Sequence, residues 1–66
     1  MVIFVNSKQQ ELDAGTTLAG LLEILGLARQ RVAVEVNGNL VTRNEWAQYK
    51  LNAGDRVEVV SFVGGG

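Results

Sequence analysis

The sequence predicts a two-layer α+β domain: a mixed sheet of about five strands with one main helix packed on one face. Two patterns carry that prediction. Short runs rich in β-formers alternate in and out, with Gly- and Asn-containing turns between them. One segment alone has helical spacing, with Leu18, Leu21, Leu22 and Leu25 at i, i+3, i+4 and i+7 of a single face. Size agrees, because 66 residues of which 47% are hydrophobic and 20% charged can fold, but only around one small core.

Met1 to Val5 is a short apolar run, and Asn6-Ser7-Lys8 reads as the turn after it. Gln9 to Asp13, centred on Leu12, returns as an antiparallel edge strand that Ala14-Gly15 ends. Thr16 or Thr17 supplies a hydroxyl N-cap for the leucine-bearing helix, and Gly26 falls where a left-handed C-terminal glycine belongs. Gly20 weakens that helix by up to about 1 kcal/mol relative to Ala, and close packing against the sheet is the expected reason for it. Val32, Val34 and Val36 alternate with Ala33 and Glu35 as a half-buried strand. Asn37-Gly38 is the strongest hairpin signal, with a brief strand from Asn39 to Thr42 after it. Arg43 to Leu51 has no clean period; a helical turn around Asn44 to Ala47 is expected, with Trp46 plugging one end of the core. Asn52-Ala53-Gly54-Asp55 is a turn, and Arg56 to Val63 is the last strand.

If the first and last strands lie side by side, the chain between them must cross over through the helix. That arrangement is the β-grasp, or ubiquitin-like, architecture. Residues 1–63 form the domain on this reading, and Gly64, Gly65 and Gly66 a flexible tail.

Composition narrows function by exclusion. The chain has no Cys and no His, so disulfides, Cys or His zinc ligation, thiol nucleophiles and imidazole bases are all absent. Six basic against seven acidic side chains leave a net charge of -1, which is no footprint for nucleic acid or an anionic membrane. No apolar run approaches the roughly 20 residues a membrane helix needs. The opening MVIFVNSKQQ lacks the basic flank and cleavage site of a signal peptide, so a cytoplasmic location is expected. The chain reads as something an enzyme acts upon rather than an enzyme.

Two features are candidates for function. Three glycines at the end of the sequence cannot pack a core, and frayed chain is the plain explanation. Alternatively they form a thin stalk, roughly 10 Å long at 3.3–3.6 Å per residue, that enters a narrow channel and presents a carboxylate for activation. Without Cys, sulfur could be carried only on that carboxyl, as a thiocarboxylate. The second feature is a surface. Val2 and Phe4 point away from Met1, Ile3 and Val5, while Val60 and Phe62 point away from Val57 and Val59. One helix covers one face, so Val2, Phe4, Val60 and Phe62 are expected to form an exposed partner-binding patch bordering the tail. The competing reading is a curled sheet whose loops cover that face.

Weaker candidates have ordinary explanations. Gly15-Thr16-Thr17-Leu18-Ala19-Gly20 looks like a phosphate loop but lacks its lysine, and a turn into a helix cap accounts for it. The carboxylates are scattered, and no metal site is expected. Arg29, Arg31 and Arg43 read as a solvated rim, with a partner contact as the minority alternative.

The whole chain resembles the ThiS family, the ubiquitin-like sulfur carriers of thiamine biosynthesis. The resemblance is carried by Val34-Glu35-Val36-Asn37-Gly38, by Val41-Thr42-Arg43 with Trp46-Ala47, by Ala53-Gly54-Asp55-Arg56-Val57-Glu58-Val59-Val60, and by the final Gly65-Gly66. Ile3-Phe4-Val5-Asn6 and Thr17-Leu18 through Leu22 also fit, and Gly64 departs from the pattern by making a triple glycine. The resemblance implies a β-grasp fold and chemistry at the tail. A ThiF-like adenylating enzyme would activate Gly66 with ATP, and a persulfide-derived sulfur would displace AMP to leave a thiocarboxylate (1-thioglycine). A ThiG-like thiazole synthase would then take the sulfur into the thiazole ring. Gly65 and Gly64 would enter the partner's active site, the chain itself would bind no cofactor, and ATP and the sulfur donor would be used by the partner enzymes. The rivals are the small subunit of molybdopterin synthase, another ubiquitin-like carrier or modifier, and a β-grasp binding module whose tail does no chemistry.

Overall fold

The computed structural model describes residues 1–62. Two tight hairpins organise it. Strands β1 (Val2–Val5) and β2 (Lys8–Glu11) are joined through Asn6 and Ser7, at φ 49° and 71°. Strands β3 (Val32–Val36) and β4 (Asn39–Val41) are joined through Asn37 and Gly38, at φ 52° and 85°. Two consecutive left-handed residues are what a two-residue hairpin requires, since their twist matches that of the strands they join. Asn tolerates this region better than most side chains, and Gly adopts it freely.

Strand β5 (Arg56–Ser61) lies between the hairpins, so the sheet order is β2-β1-β5-β3-β4. It pairs parallel with β1, Phe4 opposite Arg56 and Val5 opposite Val57, and antiparallel with β3, Val34 opposite Val59 and Glu35 opposite Glu58. The first and last strands are therefore neighbours, and the chain between them crosses over through helix α1 (Leu18–Ile24). This is the expected β-grasp arrangement.

The Thr17 side chain caps α1 by accepting from Gly20 N–H at 3.1 Å. At the other end Leu27 N–H reaches Leu22 C=O at 2.8 Å and Gly26 N–H reaches Glu23 C=O at 3.0 Å. With Gly26 at φ 73°, that pair of bonds is a Schellman cap. The first N–H groups of a helix have no partner within it. Here Leu18 N–H goes to Tyr49 C=O at 2.8 Å and Ala19 N–H to Trp46 C=O at 3.0 Å. The stretch from Arg43 to Leu51 lacks a period because it lies along the helix end as a cap rather than as an element.

Leu18, Leu21 and Leu22 of α1 meet Ile3, Val34, Val36 and Val57 of the sheet, and all seven are fully buried. Leu12, Val41, Trp46 and Leu51 close the ends of this core. Trp46 plugs it as expected, its indole Nε1–H donating to Val41 C=O at 3.0 Å.

Three expectations need correction. Gly20 does not pack on the sheet; a Cβ there would meet only Thr16 and Thr17, at 3.4 Å, so the helix start and not the sheet is its close neighbour. Lys8 belongs to β2, which ends at Glu11, because the two-residue hairpin starts the return strand one residue early. Strand β4 stops at Val41, since Thr42 turns to head a short 3-10 turn over Arg43–Glu45. The expected end of the last strand at Val63 lies outside the described residues.

Candidate functional site

The helix occupies one face of the sheet, and the register lays out the other. Side chains of Phe4 and Arg56 stand level across β1 and β5, with Gln9 beyond them on β2. The next outward row holds Glu58, Glu35 and Leu40, on β5, β3 and β4. The row after that pairs Val60 with Ala33. At its end Phe62 N–H donates to Arg31 C=O at 3.0 Å.

Of the predicted patch, Phe4 is 37% exposed and Val60 and Phe62 are each 59% exposed, whereas Val2 is half-buried. The four do not form one continuous patch. Because β1 and β5 run parallel, Val2 lies at the Gly54 end, its carbonyl accepting from Gly54 N–H at 2.7 Å. Val60 stands four residues past the level of Phe4, about 13 Å along the strand at ~3.3 Å per residue. Glu58 lies between them on the same face. The outer face is thus an apolar end at Val60 and Phe62, a charged middle, and a Phe4 end. A shallow depression of about 290 Å³ runs beside Phe4, Ser7, Arg56 and Glu58. Val63, Gly64, Gly65 and Gly66 follow directly from the Phe62 end and lie outside the described residues.

Several side chains hold this face in shape. Asn6 lies beyond the end of β1, and its side-chain amide continues the ladder: Nδ2 donates to Val59 C=O at 3.1 Å and Oδ1 accepts from Val59 N–H at 2.8 Å. Asp55 is buried, its carboxylate accepting from Asn37 Nδ2 at 3.0 Å and from Asn52 N–H at 2.8 Å. Asn37 Oδ1 in turn accepts from Arg56 N–H at 2.9 Å, which ties the β3–β4 turn to the start of β5. Arg43 is not simply a solvated rim. Its guanidinium sits 4.6 Å from the Trp46 ring centroid and donates to Ala28 and Gln30 carbonyls at 3.3 and 2.8 Å, pinning the loop that leads into β3. Arg29 and Arg31 are exposed. Glu45 accepts from the Thr42 hydroxyl at 2.7 Å and from Thr42 N–H at 3.1 Å, and these bonds hold its carboxyl below the ordinary value of 4.5.

The glycine-rich stretch before α1 is spent on local structure. Thr16 Oγ1 donates to Asp13 C=O at 2.7 Å and Thr17 caps the helix. Among the described residues no group of three or more acidic side chains could hold a metal. Among them too, no helix is long and apolar enough to cross a membrane. The sequence reading missed Leu40, 64% exposed on the outer face, and the opposition of Glu35 to Glu58. The Asn37-Gly38 turn carried a signal for the first, because a two-residue hairpin there pairs Leu40 with Glu35.

Comparison with known proteins agrees with this geometry. The profile of the ThiS family matches residues 3–66. The chain is 32% identical to the sulfur carrier protein ThiS of Escherichia coli over 66 residues, covering all of both. It is 46% identical to part of a thiazole synthase of Magnetococcus marinus, spanning 20% of that longer protein's length. The crystal structure of a thiamine biosynthesis protein (ThiS) from Geobacter metallireducens superposes with a TM-score of 0.84 at 33% identity, each chain covered in full.

Proposed function

Since the chain belongs to the ThiS family, we propose that it is a sulfur carrier of thiamine biosynthesis, a protein acted upon by enzymes rather than an enzyme. The observation that carries this reading is the end-to-end match to a sulfur carrier of the same length, which includes the terminal glycines. In this cycle a ThiF-like enzyme joins the Gly66 carboxyl to AMP from ATP, releasing pyrophosphate. A persulfide sulfur attacks the acyl carbon, the C–O bond to AMP breaks, and a second thiol cleaves the S–S bond to leave the thiocarboxylate. Thiazole synthase then accepts the sulfur. That a thiazole synthase contains a segment 46% identical to this chain supports this acceptor. The chain has neither Cys nor His, so the partners supply every catalytic group, as well as binding ATP and the sulfur donor. The cytoplasm, which supplies ATP for this activation, is the location that this reading proposes. Gly64 and Gly65 form the stalk into the partner's site, and the exposed Val60 and Phe62, with Phe4 and the half-buried Val2 further along, form the docking face.

The test is intact mass after incubation with the cognate adenylating enzyme, ATP and a sulfur source. The wild-type chain gains the mass of a thiocarboxylate. Deleting Gly66 withdraws the carboxyl by roughly 3.5 Å, beyond the tolerance of an attack geometry, and appended residues carry it away altogether. Both variants melt like the wild type and give no thiocarboxylate, and Gly65→Val, whose branched side chain stiffens the stalk, gives less. No thiocarboxylate on the wild-type chain overturns the reading and leaves a plain binding module, whereas full yield from the Gly66 deletion overturns the assignment of Gly66 as the activated residue.

A further inference from the structure

A short run of contacts links the Arg43 and Trp46 pair to the last described rung of the sheet. Trp46 is fixed in the core by packing and by its indole bond to Val41 C=O. The Arg43 guanidinium lies over that ring, so a buried residue sets the place of an exposed side chain. From there Nη1 donates to Ala28 C=O at 3.3 Å and Nη2 to Gln30 C=O at 2.8 Å. One planar group thus holds two carbonyls of a loop whose Arg29, Gln30 and Arg31 are all exposed and give the core no side chain. One residue further, Arg31 C=O accepts from Phe62 N–H at 3.0 Å. That bond continues the β3–β5 ladder one step beyond its final pair, Val32 with Ser61. Phe62 is the last described residue, and Val63-Gly64-Gly65-Gly66 come directly after it in the chain.

We propose that Arg43 is a positioning residue for residues 63–66. By holding Ala28 and Gln30 beside Trp46 it fixes the Arg31 carbonyl, and through that carbonyl the place and direction in which the chain leaves the sheet after Phe62. The proposal rests on the sulfur-carrier reading for the use made of that direction. Four residues span about 13–14 Å when extended. Three of these four are glycines, which have no Cβ to favour one path over another. A small rotation at Phe62 therefore displaces the Gly66 carboxyl by more than an attack geometry tolerates. Phe62 keeps its side chain without Arg43, and Val60 keeps its place in the ladder, so Arg43 governs delivery of the carboxyl rather than docking of the carrier. Lysine is no equivalent here, because an ammonium carries the charge but lacks the planar fork that spans two carbonyls.

The experiment uses the full chain with Arg43→Gln and Arg43→Lys, and with Arg29→Gln as a control of equal charge loss in the loop that Arg43 holds. Amide exchange is followed by NMR for each variant, and thiocarboxylate formation by the adenylating enzyme is measured at limiting and at saturating carrier. In Arg43→Gln the Phe62 amide exchanges about tenfold faster, while those of Val34 and Val57 in the middle of the sheet keep wild-type rates. The rate at saturating carrier falls about tenfold and the half-saturating concentration changes little. Arg43→Lys lies between Arg43→Gln and the wild type on both readings, and Arg29→Gln matches the wild type. Wild-type exchange at Phe62 in Arg43→Gln overturns the anchoring, and full recovery by Arg43→Lys overturns the two-carbonyl fork as its cause. Faster exchange at Phe62 with an unchanged saturated rate overturns the positioning role, as does a loss cured by more carrier. Equal loss in Arg29→Gln, or exchange that rises together at Val34, Val57 and Phe62, overturns it too, since charge or general loosening is then the cause. A wild-type chain that gains no thiocarboxylate strikes the functional reading, whereas the exchange result at Phe62 stands without it.

Discussion

The two faces of one sheet are built from the same residue types and meet opposite fates. Ile3, Val34, Val36 and Val57 on the inner face are no more than 1% exposed. Phe4 on β1, Val60 on β5, Phe62 just past the end of β5 and Leu40 on the neighbouring β4 are between 37% and 64% exposed. One seven-residue helix accounts for the difference, since it covers a single face and the chain is too short to supply a second layer. The lesson is that hydrophobicity by itself does not tell a core position from a docking position. Their separation is a matter of which pleat faces the helix.

Substitutions on the two faces break or sharpen that contrast. The largest effect belongs to the inner side: Leu21→Ala removes a fully buried side chain and costs about 2–5 kcal/mol. Total stability at this length is only about 3–10 kcal/mol, so urea unfolding should show a variant close to the edge of folding. A loss below about 1 kcal/mol would mean that the helix is not the covering layer described here. Asp55→Ala comes next, at about 1–3 kcal/mol, because Asn37 Nδ2 and Asn52 N–H both lose a buried partner. The same denaturation series reads it, and a neutral result would show that water replaces the carboxylate at no cost.

Phe62→Ala sharpens the contrast from the outer side. Being 59% exposed, it should change stability by less than about 0.5 kcal/mol while weakening binding to the adenylating enzyme. Should the variant unfold, with binding per folded molecule unchanged, Phe62 belongs to the core and the face is misassigned. The smallest effect is that of pH through Glu45. Its folded carboxyl is held low by Thr42, so its contribution is present above the ordinary glutamate range and disappears as pH falls through the lowered folded value. Melting temperatures recorded from pH 6 down to pH 3 should therefore fall slightly further for the wild type than for Glu45→Gln. Parallel curves would show that the Thr42 bonds are not kept in solution.

Much of this was legible beforehand, for local reasons. Thr17 and Gly26 mark the ends of α1 because a helix end needs a hydroxyl acceptor at its start and a left-handed residue beyond its finish. The Asn37-Gly38 turn sets its own register, and Leu18, Leu21 and Leu22 announce their common face by spacing alone. Gly20 misled because a small residue inside a helix has several possible neighbours, and periodicity cannot say which one is near.

The sequence by itself determined the elements, the inward side of each strand and the family to which the chain belongs. Those properties rest on interactions between residues close along the chain, or on alternation that any partner strand would preserve. Tertiary structure decided what depends on register between distant strands. The parallel pairing of β1 with β5 carried Val2 and Phe4 away from Val60 and Phe62 and split a patch that alternation alone had united. The antiparallel pairing of β3 with β5 set Glu35 against Glu58, residues 23 positions apart that no local pattern links. Asn6 came to complete the ladder at Val59 for the same reason. A one-residue slip of β5 would turn its side chains to the opposite face and abolish both arrangements, and the burial of Val57 beneath the helix opposes it, together with the Asn6 bonds to Val59 and the Asn37 bond to Arg56.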